Sequence, residues 1–145
     1  MQTLKHLKLN IHEDFIKAFN NLTLVDVLVW IKNVMFIHYL DIYSDLNNQV
    51  VQLIDDGIQN NVKVVLARNT AFEIHRIAKT KQNYDQFYLR ALAHMVSTIH
   101  VKTHALKCCD YLIKMLSVQT KNKDLVIAER LRQISLIYDN NKSGE

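Results

Sequence analysis

The run from Leu24 to Leu46, LVDVLVWIKNVMFIHYLDIYSDL, is apolar on nearly every side. That is the pattern of a helix surrounded by protein rather than one with a single core-facing stripe. The punctuation around it divides the rest of the chain. Asn10 with Glu13, Thr23 with Asp26, and Asn83 with Gln86 read as helix starts, because each pair can accept hydrogen bonds from the free N–H groups of a first turn. Paired asparagines at Asn20/Asn21, Asn47/Asn48 and Asn60/Asn61 read as stops, since asparagine tolerates the left-handed conformation that ends a helix. The pattern predicts helices over 11–20, 24–46, 48–59, 62–80, 84–118 and 123–139, with room for one break in the second and in the fifth. The fold class expected is all-α: a single-domain multi-helix bundle of about six helices over residues 1–139. Residues 140–145 form a polar tail that should fray.

Composition strengthens this reading. The 145 residues include no proline and only two glycines, Gly57 and Gly144, so the turn residues that hairpins need are missing. A chain of this length buries roughly 68–70% of its unfolded surface, enough for one core without staples. The 24–46 segment is not a membrane span, because Asp26, Lys32, Asn33, His38, Asp41, Ser44 and Asp45 interrupt it. It reads instead as a central core helix around Trp30. No repeat of the common helical-array lengths is visible. Cys108 and Cys109 are adjacent and point about 100° apart on a helix, so they cannot bridge each other. The amino-terminal stretch lacks the apolar core of a secretory signal. The expectation is a cytoplasmic protein.

Charge changes the picture by its distribution. Residues 1–60 hold four Lys/Arg against seven Asp/Glu, whereas residues 61–145 hold fourteen against seven. Between Lys32 and Lys63 there is no lysine or arginine, but Asp41, Asp45, Asp55 and Asp56 all fall there. On a continuous helix His38, Asp41 and Asp45 share one stripe. With the flanking Tyr39 and Tyr43, and with Asp55 and Asp56, this acidic interval is the expected partner-binding surface. The basic residues Arg68, Arg76, Lys79 and Lys81, and Lys102, Lys107 and Lys114, are spaced rather than run together. Such spacing fits helix exteriors better than a nucleic-acid groove, so a basic nucleic-acid-binding module is the weaker alternative.

Candidate chemistry is confined to the histidines. His100 and His104 are one turn apart and could face a common metal ion, with His75 from the preceding helix as a third ligand. His94 points about 120° away from His100 on an unbroken helix, so a three-histidine site needs either a break near Ile99 to Lys102 or a ligand from another helix such as His75. A metal-binding helical enzyme or sensor built on His75, His100 and His104 is therefore an alternative. Against it, there is no HExxH or ExxH pairing, and no glutamate lies between Glu73 and Glu129. Ser97 precedes His100 by three residues, but no third group or oxyanion donor accompanies them. Two glycines cannot build a phosphate loop. No catalytic residue and no cofactor are expected.

The segment AHMVSTIHVKTHALKCCDYL, residues 93–112, resembles the core of a predicted all-helical immunity-protein family of bacterial polymorphic toxin systems. Members carry an AxGHAxATAHVxTHAxxAAxYA-like stretch. The matching positions are Ala91, His94, Thr98, His100, Val101, Thr103, His104, Ala105 and Tyr111, and His75 in AFEIHRIAK resembles the preceding helix. Met95, Ile99, Cys108 and Cys109 replace family alanines, and an Asp-x-Arg-Pro-Arg-type element is absent, so the resemblance is to a divergent member over residues 68–115. It implies a non-enzymatic protein that neutralises a cognate toxin by direct binding. It carries over no catalytic residue and leaves the oligomeric state, including a dimer, open.

Overall fold

Thr23 opens a helix as its spacing to Asp26 predicts. Its hydroxyl accepts from the Asp26 N–H at 3.1 Å, and the Asp26 carboxylate accepts from the Thr23 N–H at 3.2 Å. The computed structural model describes residues 13–143. Helix α1 (13–20) leads into α2 (Leu24–Met35), a single 3-10 turn (Asp41–Tyr43), α3 (Ser44–Ile58), α4 (Val64–Ala78), α5 (Asn83–Ser97), α6 (His104–Thr120) and α7 (Lys123–Ser143). The protein is all-α, with seven helices and no strand among the described residues. The cap expected at Asn10 lies outside them. The third expected cap does not form: Asn83 takes a left-handed φ of 55°, and Gln86 instead donates to the Ala78 carbonyl at 3.1 Å.

Both long predicted helices are broken, and in each case distant residues explain where. The 24–46 pattern stops at Met35 because Arg132 of α7 donates to the Asn33 and Val34 carbonyls at 3.0 and 3.1 Å. A guanidinium there satisfies the end of α2 and complements its negative pole. Asn47 was expected to end a helix, yet it sits buried inside α3. Its amide donates to the Leu40 carbonyl at 2.9 Å and its oxygen accepts from the Tyr88 hydroxyl, so it anchors the extended link instead. Asn60 does adopt the left-handed conformation, φ 56°, that ends α3. The 84–118 pattern breaks over residues 98–103, folding α5 back against α6.

The core follows from these breaks. Trp30 is fully buried, donates from Nε1 to the Gln133 carbonyl at 2.9 Å, and meets Phe15 and Phe19 edge-on with centroids 5.4 and 6.0 Å away. α5 lies between α4 and α6, and α2 packs on α3 and α7. Cys108 and Cys109 are buried free thiols, and burial pushes both well above the ordinary thiol range. Among the described residues, no helix is long and apolar enough to cross a membrane.

Gly57 marks a close helix approach. A Cβ there would lie 2.9 Å from Leu28 Cδ1 and 3.5 Å from Ile99 Cγ1, both on buried side chains. Gly57→Ala gains about 1 kcal/mol of helix propensity but incurs about 1–3 kcal/mol of overpacking. Urea unfolding should show a net loss of about 1 kcal/mol, and a larger one for Gly57→Val. A more stable alanine variant would mean that this crossing has slack.

Candidate functional site

Once α2 has ended at Met35, its apolar continuation has no helix to bury it. Phe36 and Ile37, in the turn, are 76% and 60% exposed, and Ile42, in the 3-10 turn, is 78% exposed. They project from a firmly held corner. The Leu40 N–H donates to the Tyr88 hydroxyl at 3.3 Å, the Tyr43 hydroxyl donates to Asp85 at 2.7 Å, and the Tyr43 and Tyr88 rings stack at 5.7 Å. Exposed apolar side chains on an ordered backbone lose little entropy on docking, which suits them as contact anchors. The sequence carried a signal for this corner that the stripe argument passed over: a 23-residue run apolar all round exceeds what one helix of a small bundle can bury.

The residues expected on the acidic partner surface divide into two groups. Asp41 and Asp45 are exposed beside Ile42, and neither is ion-paired among the described residues. His38 belongs to the fold rather than the surface. Its Nε2 meets Glu129 Oε1 at 2.9 Å with both side chains more than nine-tenths buried, and Glu129 also receives Arg132 at 3.0 Å. The stripe through His38, Asp41 and Asp45 required a continuous helix, and the break at Phe36 removes it. Tyr39 and Tyr43 are half-buried; burial raises both, Tyr43 to about 12, with the Asp85 carboxylate adding to the effect. Asp55 is paired with Lys32 at 2.6 Å, and Asp56 accepts from Gln52 at 2.9 Å.

The histidines also regroup. The turn at 98–103 puts His100 on the surface and swings His94 and His104 face to face, Nδ1 to Nδ1 at 2.9 Å. His94 stacks on Tyr111 at 5.4 Å and meets the His75 ring edge-on at 5.1 Å. Thus His75, His94 and His104 converge, in place of the expected set of His75, His100 and His104, and the break near Ile99 to Lys102 is what brings His94 in. Arg90 Nη1 lies 2.6 Å from His75 Nδ1. Because a guanidinium only donates, His75 Nδ1 accepts and its own proton sits on Nε2. Burial first, and then the neighbouring His75, His104, Lys107 and Arg90, hold His94 down to about 3. His75 and His104 are lowered too, again chiefly by burial. Neutral imidazoles could coordinate a metal, but no group of three or more His, Cys, Asp or Glu among the described residues is placed to hold one.

A second apolar exposure lies on α4, where Phe72 is 81% exposed with Val65 two turns before it on the same face. Arg68, Phe72, His75 and Lys79 follow each other at helical spacing along that edge, and the carboxylate of Glu73 is taken by Arg76. The α4 edge is thus basic where the corner after α2 is acidic.

The model of the family described as Imm-5 like putative immunity protein matches residues 20–140, from the end of α1 into α7. No curated protein and no solved structure matches the chain.

Proposed function

The chain belongs to the Imm-5 like putative immunity protein family, and from that premise we propose that it is a non-enzymatic bacterial immunity protein, cytoplasmic, that neutralises a cognate toxin by binding it directly. The supporting observation is the corner after α2, where Phe36, Ile37 and Ile42 stand exposed on a hydrogen-bonded backbone beside the exposed carboxylates of Asp41 and Asp45. Apolar anchors ringed by one sign of charge are the make-up of a specific interface: the anchors hold and the charges steer. The partner surface this fits is basic, such as the substrate groove of a nuclease.

Separate variants distinguish anchors from steering. With the toxin encoded beside this chain, Phe36→Ala and Ile42→Ala should each weaken the complex by about 2 kcal/mol, roughly thirtyfold, mainly through faster dissociation. Asp41→Lys with Asp45→Lys should instead slow association about tenfold at low salt, an effect that fades as salt screens it. Surface-plasmon kinetics separate the two. Wild-type rates for all four substitutions would move the interface elsewhere, and a purified toxin that does not bind the chain at all would end the immunity reading.

A further inference from the structure

We infer that the face shared by α4, α5 and α6 is an oxyanion site, with the Arg90 guanidinium as its fixed donor and His75, His94, His104 and Lys107 around it. Arg90 is half-buried and meets no carboxylate among the described residues; one of its N–H groups goes to a neutral imidazole. Among the described residues its other donors have no protein acceptor and no buried side-chain nitrogen or oxygen lacks a partner, so those N–H groups open to solvent. A planar fork with free donors and no counter-charge is suited to a carboxylate or a phosphoryl group.

The surroundings favour negative charge from every side. α4 contributes His75 and Lys79, α5 contributes Arg90 and His94, and α6 contributes His104 and Lys107, with Tyr111 stacked beneath His94 and His100 in the adjoining turn. Burial opposes protonation of the three imidazoles, and so do Arg90, Lys79, Lys107 and the neighbouring histidines. The two facing Nδ1 atoms of His94 and His104 share one proton at 2.9 Å; a second would need a counter-ion. A bound oxyanion supplies it. Binding and protonation are therefore coupled, and affinity rises as pH falls. The same cations disfavour a divalent metal there.

The test uses the isolated full chain, so it stands or falls apart from toxin binding. Histidine ring protons are followed by NMR while sodium sulfate or sodium acetate is titrated against sodium chloride at matched ionic strength. The His75, His94 and His104 signals should shift saturably, with affinity several-fold tighter at about pH 6 than at about pH 8. Saturation by sulfate alone assigns the site to a phosphoryl-type ligand; saturation by acetate assigns it to a carboxylate such as a partner's Asp or Glu. Arg90→Gln should abolish saturation. If that variant does not fold, Lys107→Gln, at an exposed position, should weaken it a few-fold. Shifts no different from chloride, or unchanged saturation in whichever variants fold, would overturn the site.

Discussion

Trp30→Ala should destabilise the protein by about 4 kcal/mol, the range for deleting a large aromatic from a close-packed core. Trp30 is fully buried against Phe15 and Phe19, and its indole hydrogen-bonds α2 to the α7 backbone, at 2.9 Å to the Gln133 carbonyl. The substitution empties a volume that three helices line. Trp30→Phe keeps an aromatic ring and forfeits the indole N–H, so its loss should be smaller, about 1–2 kcal/mol. Urea unfolding followed by circular dichroism gives both numbers. Near-equal losses would mean the hydrogen bond rather than the ring volume dominates, and a loss under about 1 kcal/mol for alanine would mean that the α2–α7 packing is not what holds the core.

Stability should also fall steeply in mild acid. The folded state keeps His94 neutral, its pKa held down to about 3 by burial and by His75, His104, Lys107 and Arg90, while His75 and His104 are lowered in the same direction. In the unfolded chain each takes a proton near the ordinary histidine value of about 6.5. The unfolded state thus binds more protons, so stability is complete above about pH 6.5 and is lost progressively as pH falls toward 3. With the His94 shift discounted for solvent screening at a partly exposed ring, its share is about 2 kcal/mol, the others adding to it. His94→Gln should flatten the profile of unfolding free energy between about pH 6.5 and 4. A wild-type profile flat across that window would mean that the three rings open to water without cost.

Some features could be read directly because they depend on near neighbours in the chain. The capping box of Thr23 and Asp26, the left-handed stop at Asn60 and the absence of hairpin residues all act within a few positions, and each predicts what the structure contains. The burial of Trp30 was legible for a related reason, since a segment apolar all round must lie inside. The sites were harder to read. His38 looked like part of an acidic stripe but is held by Glu129, ninety-one positions away, and Asn47 looked like a stop but serves Leu40 and Tyr88. The histidine grouping failed by one ring: a helical wheel drawn through residues 98–103 puts His100 beside His104, whereas the turn there puts His94 beside it.

The sequence by itself determined that this chain is all-α, where most of its helices start, and that the segment around Trp30 lies in its core, because propensity, capping and hydrophobic pattern are local and additive along the chain. Only the tertiary structure decided where the two long apolar runs break. Arg132 of α7 ends α2 by satisfying its last carbonyls, and the return of α6 along α5 makes a hairpin of what the pattern shows as one helix. Those two breaks create both surfaces of interest: the corner of Phe36, Ile37 and Ile42, and the cluster of Arg90 with His75, His94 and His104. The physical reason is that a helix end is set by whichever group reaches its unpaired carbonyls, and such a group can come from anywhere in the fold.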